Sequence, residues 1–131
     1  MSHINGDFVV EQDTPSLCIA GGIGITPFIS TIRAAQANNT PIPMVLVYFV
    51  NGKTECAYRD VLEGARRLGV NTLYVTDPAT RLSEASLVKL VPDLKKTNVY
   101  ISGPPAMVRA YNTLAQHLRA KSVHTDYFTG Y

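Results

Sequence analysis

Apolar residues along the chain fall into two kinds of run that alternate. Short β-branched or aromatic stretches occupy 17–20, 44–50, 71–76, 98–102 and 123–127, each of a length suited to a strand. Between them the apolar positions recur at three-and-four spacing: Phe28, Ile29, Ile32 and Ala35, then Tyr58, Val61, Leu62, Ala65 and Leu68, then Leu87, Leu90 and Val91. A fourth such face runs through Met107, Val108, Tyr111, Leu114, Ala115 and Leu118. Each predicts a helix apolar on one side only. Strands that alternate with helices imply right-handed βαβ crossovers, hence a doubly wound α/β domain whose parallel sheet is covered on both faces. The chain breakers agree. Asn38, Asn39 and Pro41 close the first helix, Gly69 follows the second, Pro92 interrupts the third, and Gly103-Pro104-Pro105 opens the fourth. Residues 1–15 fit the alternation poorly and read as an arriving linker, which leaves 16–131 as the domain.

Composition narrows the function classes without choosing one. At 131 residues and 46% hydrophobic, the chain supports one well-formed core and no second full domain. Twelve Lys and Arg against ten Asp and Glu give a net charge of +2. The basic pairs Arg66-Arg67 and Lys95-Lys96 lie apart on helix-type sequence and read as solvated faces, so no nucleic-acid surface is expected. No run approaches the length of a membrane span, and no secretory leader pattern opens the chain, so a cytoplasmic protein is expected. Cys18 and Cys56 have neither disulfide nor metal-ligand spacing, and His3, His117 and His124 are dispersed, so no metal site is expected.

The chemistry concentrates after the first strand, in Gly21-Gly22-Ile23-Gly24-Ile25-Thr26-Pro27. Glycines permit positive φ and close approach of a ligand to the backbone, Thr26 is suited to cap the next helix, and Pro27 suits its first turn. A helix N-terminus of this kind suits a diphosphate. The pattern GxGxxP departs from the GxGxxG dinucleotide fingerprint and from the triphosphate loop that ends in Gly-Lys-Ser/Thr. On spacing alone, dinucleotide binding and a merely tight strand-to-helix turn both remain open. A second turn of the same sort, Ser102-Gly103-Pro104-Pro105, again joins a strand to a helix. Two such turns on neighbouring strands would border one crevice.

In order and spacing, the segments GDFVV, CIAGGIGITPFISTIR, YRDVLEGARR and VYISGPPAMV resemble the pyridine-nucleotide-binding half of the ferredoxin-NADP reductase family, over nearly the whole chain from Gly6 to Tyr131. The resemblance implies a Rossmann-like, five-stranded parallel sheet of order 3-2-1-4-5 flanked by helices. It implies that Gly21, Gly22, Gly24, Ile25, Thr26 and Pro27 hold the diphosphate of NADH or NADPH, and that Gly103, Pro104 and Met107 shape the nicotinamide side. Ser102 stands where many members have a cysteine near the hydride-donating carbon, a change that should alter rate more than existence. Tyr127, Phe128 and Tyr131 are candidates for the terminal aromatic that covers the flavin face, Tyr131 foremost, as a gate. Where the family's third strand often ends in Ser-Arg, this chain has Thr76-Asp77, an aspartate that would repel a 2′-phosphate. Arg59 and Arg81 could supply a cation, Arg59 being better explained as a helix-surface ion pair. NADH is the favoured nucleotide.

The same resemblance implies a function in two parts. The domain would present NAD(P)H for hydride transfer to FAD, with electrons passing onward to a one-electron carrier such as a ferredoxin. FAD would be held by an upstream barrel domain whose motifs do not occur in these residues, Asn5 to Val10 resembling only that barrel's last strand. The enzyme would be an NAD(P)H-dependent flavin oxidoreductase, with this half inactive alone and partnered by a flavin-binding domain or subunit. The alternative is a non-catalytic docking module that uses Phe8, Val9 and Val10, an apolar strand without a partner sheet, to associate with a separate flavin subunit.

Overall fold

The computed structural model describes residues 2–4, 9–50, 58–77 and 80–128. Its strands are β1 (Ser2–Ile4), β2 (Ser16–Gly21), β3 (Met44–Phe49), β4 (Val70–Val75), β5 (Asn98–Gly103) and β6 (Ser122–Phe128). The helices between them are α1 (Thr26–Ala37), α2 (Arg59–Gly64), α3 (Glu84–Leu90) and α4 (Pro105–His117). Short 3-10 turns at Gly22–Ile25, Ala65–Leu68 and Leu94–Lys96 lead into or out of these elements.

The sheet order is β1-β6-β5-β2-β3-β4, with every pairing parallel except the antiparallel contact of β1 with β6. Counted along the five parallel strands, this is 3-2-1-4-5, with β2 and β5 adjacent at the point where the order reverses. The first strand therefore meets the fourth, and their carboxyl ends, which carry the two glycine turns, lie side by side. The addition is β1, three residues whose backbone pairs Ser2 with Phe128, His3 with Tyr127 and Ile4 with Asp126.

Two cores follow from the alternation of side chains across the sheet. Cys18, Ala20, Leu46 and Tyr100 face one side and pack with Phe28, Ile32 and Leu62 of α1 and α2. Leu17, Ile19, Val99 and Ile101 face the other and pack with Leu87 of α3 and Val108, Tyr111 and Ala115 of α4. β2 and β5 are buried along their whole length, which explains why they read as unbroken apolar runs. At the helix ends, Asn39 takes a φ of 50° beyond α1 and Gly69 a φ of 108°, the left-handed geometry that the breakers anticipated.

Residues 9 and 10 are not a strand. Val9 is exposed, whereas Val10 is buried in the α1 side of the core. The Glu11 backbone N–H donates to Tyr100 Oη at 3.2 Å, and Asn98 Nδ2 donates to Glu11 Oε2 at 3.4 Å. The expected unpartnered apolar strand is thus replaced, over the described residues, by a segment that buries Val10, leaves Val9 exposed and pairs the Glu11 amide. Phe8 and Cys56 lie outside the described residues.

Burial also sets an alkaline limit on the fold. Desolvation pushes the Cys18 thiol far above its ordinary range and raises the Tyr100 phenol in the same way. Unfolding restores ordinary values, so the unfolded chain releases these protons first as pH rises. Stability is therefore expected to be full at neutral pH, to begin falling above about pH 8.5 as the thiol of the unfolded chain ionises, and to fall further above about pH 10 as its phenol does. Urea denaturation at neutral pH, near pH 10 and above it measures the loss, and an unchanged midpoint would contradict the burial of the two groups.

Candidate functional site

A cleft of about 660 Å³ opens at the carboxyl ends of β2 to β5. Gly21 and Gly22 form one border, Phe49, Val50 and Val75 end the next strands along its floor, and Asp77, Arg81 and Leu82 make the far wall. Pro104, Ala106 and Met107 open α4 on the near side, with Tyr111 and Leu114 a turn or two deeper. The surface is mostly apolar, with its charge confined to the far wall. A mostly apolar cleft with a few polar groups on one wall suits a ligand that has flat rings and a charged linker.

The two glycine turns are built for contact with each other as much as with a ligand. A Cβ on Gly24 would collide with the Ser102 carbonyl oxygen and lie 2.9 Å from the Gly103 nitrogen. Gly21 has the Met107 sulfur 2.6 Å from where its Cβ would stand, and Gly103 has the Met107 methyl at 2.6 Å. The backbones of the first and fourth strand ends therefore close on one another, with Met107 lying over both. Gly22 has a φ of 56° and is exposed, and from it a 3-10 turn runs straight into α1. The first amides of such a turn have no intrahelical acceptor and point outward, as an anion requires.

Thr26 does not cap. It is the first residue of α1, Ile25 precedes it without a side-chain cap, and the Thr26 hydroxyl donates backward to the Ile23 carbonyl. The 3-10 turn abuts α1 with no extended residue between them, so the geometry that a capping side chain needs is absent.

The family model described as "Oxidoreductase NAD-binding domain" matches residues 18–113. The chain belongs to this family. Among curated relatives, this NAD-binding domain is 34% identical over 115 residues to the carnitine monooxygenase reductase subunit of Escherichia coli, covering 86% of this chain and 34% of that one. It is 29% identical over 119 residues to a naphthalene 1,2-dioxygenase system ferredoxin–NAD(P)(+) reductase component of Pseudomonas putida, covering 84% of this chain and 36% of the relative. The domain thus spans about a third of the length of these relatives. Among solved structures, an Amycolatopsis cytochrome P450 reductase superposes with a TM-score of 0.71 at 25% identity, over 96% of this chain and 42% of that one. The flavohaem-like FAD/NAD-binding domain of a Vibrio cholerae nitric oxide dioxygenase gives 0.75 at 18% identity, over 95% and 55%, a likeness of fold alone. The domain is of the ferredoxin-reductase type, and its sheet has that type's order.

Of the residues expected at the site of this NAD-binding domain, Gly21, Gly22, Asp77, Pro104 and Met107 line the cleft. Gly24, Ile25 and Gly103 are buried behind it as the packing that shapes the turns. Thr26 and Thr76 are exposed near its rim, Pro27 is half-buried in the first turn of α1, and Tyr131 lies outside the described residues. Ser102 is completely buried, and its Oγ has no hydrogen-bond partner among the described residues. Arg59 sits on the opposite face of the sheet, its guanidinium 4.2 Å from the centroid of the Tyr74 ring, in a cation–π contact. Arg81 is on the cleft wall.

Three contributors were not singled out from sequence. Phe49 and Tyr111 stack in the cleft, centroids 5.8 Å apart at 27°, and each reads in sequence as ordinary core of its own element. Asp126 is completely buried and pairs in register with Ser102 across β5 and β6. A carboxylate in the middle of the run Val123 to Tyr127 was the available signal, because burial of that group demands compensation.

Proposed function

We propose that the domain binds a reduced nicotinamide dinucleotide along this cleft, NADH in preference to NADPH, and presents it to FAD held by a separate flavin-binding domain or subunit. The observation that carries the reading is the mutual closure of two glycine turns at adjacent strand ends beside one apolar slot, in a chain of the NAD-binding family. Bound there, the nucleotide would supply a hydride to the flavin, from which electrons would leave singly to a ferredoxin-like carrier or an oxygenase. Reductase components of carnitine monooxygenase and naphthalene dioxygenase systems among the relatives support that onward step.

Each residue has a task in this reading. The exposed turn at Gly22 and Ile23, with its positive dipole end, takes the diphosphate, which bare backbone can approach closely. Pro104 and Met107 border the nicotinamide side, and Met107, already lying on Gly21 and Gly103, has the soft, adaptable surface a flat ring needs. Ser102, buried at the end of β5 beside the paired turns, has a hydroxyl without a partner among the described residues. Asp77 on the far wall accepts from a free ribose 2′-OH and repels a 2′-phosphate, while Arg81 moderates the preference. Tyr131 keeps its assignment as the aromatic that covers the flavin face and moves aside for nicotinamide. No helix among the described residues is long and apolar enough to cross a membrane, and a cytoplasmic setting, where NADH is at hand, completes the reading.

Calorimetric titration of the 131-residue chain tests it. Saturable NADH binding is expected, weaker NADPH binding, and a melting temperature raised by about 5 °C at ten times the dissociation constant. Absence of heat and of any melting shift with either nucleotide at millimolar concentration would overturn it, and would leave the docking-module reading in its place.

A further inference from the structure

We infer that Tyr111 is a positioning residue for nucleotide choice, holding the charged wall of the cleft in the one place where its charges discriminate. The inference rests on the nucleotide site proposed above.

The far wall is the segment that follows β4, and its two lining charges, Asp77 and Arg81, are of opposite sign. Coulombic interaction falls with distance, so which of them governs a 2′-substituent depends on where the segment is held. Three hydrogen bonds along the described part of it fix its course. The Thr80 N–H donates to the Asp77 carbonyl at 3.0 Å, which closes a turn within the segment. The Leu82 N–H, next to Arg81, donates to Tyr111 Oη at 3.2 Å, which fastens the wall to α4. At Ser83 the helix α3 begins, with Ser83 Oγ accepting from the Ser86 N–H at 3.2 Å.

Tyr111 is placed to register three parts of the cleft at once. Its backbone belongs to α4, whose first turn carries Met107; its ring stacks on Phe49, the last residue of β3; and its hydroxyl holds Leu82. The side chain is 5% exposed, and phenylalanine, which keeps the ring, would fill that helix position equally well for packing. The hydroxyl is the part that packing does not call for, and its hydrogen bond reaches the wall one residue from Arg81. A second link, His117 Nε2 to Glu84 Oε1 at 2.8 Å, joins α4 to the start of α3.

The test is Tyr111→Phe, which keeps the ring on Phe49 and deletes the acceptor. Dissociation constants for NADH and NADPH are measured by calorimetry in the parent chain, in Asp77→Asn, in Tyr111→Phe and in the double variant. With both charges present, Tyr111→Phe is expected to lower the NADPH-to-NADH ratio of dissociation constants roughly threefold, because a looser Asp77 repels the 2′-phosphate less. In the Asp77→Asn background, where Arg81 remains as the wall's lining charge, the same substitution is expected to raise the ratio, because a looser Arg81 attracts that phosphate less. A purely structural role for Tyr111 would weaken both nucleotides alike and leave the ratio unmoved in either background, which would overturn the inference. A shift of the same sign in both backgrounds would overturn it as well. Hydrogen exchange at the Leu82 amide checks the bond itself: it is expected to quicken in Tyr111→Phe, and an unchanged rate counts against the inference. If the parent chain binds neither nucleotide, the site reading fails first, a result distinct from an unmoved ratio in a chain that binds.

Discussion

Gly24→Ala is expected to destabilise the domain by on the order of 3 kcal/mol, lowering the melting temperature by roughly 10 °C. The added Cβ would collide with the Ser102 carbonyl group and crowd the Gly103 nitrogen at 2.9 Å. Both are backbone atoms of β5, which is hydrogen-bonded to β2 on one side and to β6 on the other, so neither can step aside without disturbing three strands. Gly21→Ala should cost less, because the nearest atom to its Cβ, at 2.6 Å, is the sulfur of Met107, the far part of a flexible side chain. Gly64→Ala should be neutral or stabilising by up to about 1 kcal/mol, since it ends α2 at a helical φ of −65° with the closest neighbour, Gln36 Nε2, at 3.5 Å. Thermal melts of the three variants check the order, and a Gly24→Ala chain that melts with the parent would contradict the close packing of the two turns. The order has a practical consequence. A bulky residue at Gly24 removes nucleotide binding by opening the fold, so that variant does not by itself separate a nucleotide site from a docking surface.

Element positions were legible in sequence to within a residue or so because both faces of β2 and β5 are covered. The run 98–102 reappears as Asn98–Gly103, and 17–20 as Ser16–Gly21. The strand order came from the family resemblance, and the two backbone-exposing turns suggested only that their strands are neighbours, as β2 and β5 are. What escaped was information held in contacts between distant residues. The triplet Ser2-His3-Ile4 is too short to show a period by which a strand could be recognised, and its pairing is decided by the edge that β6 offers. Thr26 carries the right side chain for a cap, yet the 3-10 turn in front of it removes the extended residue that a cap requires. Tyr111 satisfies the period of α4 so well that its ring is accounted for, and nothing local marks the hydroxyl as reaching Leu82, 29 residues away.

Asp77→Arg is expected to reverse nucleotide preference, making NADPH the tighter ligand by about tenfold or more. The substitution removes the carboxylate on the far wall and puts a second guanidinium beside Arg81, where the pair can clasp a 2′-phosphate. At an effective dielectric of about 20, one unit charge 6 Å from another is worth roughly 3 kcal/mol, and salt reduces it at an exposed site such as this. Tenfold is therefore a conservative reading of a change that moves two units of charge. The same logic fixes the salt dependence: NADPH affinity of the variant should fall as ionic strength rises, while NADH affinity, which lacks the 2′-phosphate, should respond less. Stability should hardly change, because Asp77 is exposed at the end of an edge strand. Calorimetry with both nucleotides at low and at physiological salt measures each of these effects. A variant that still prefers NADH, with its fold intact by melting, would place the 2′-substituent away from this wall and move the adenosine end of the ligand elsewhere in the cleft.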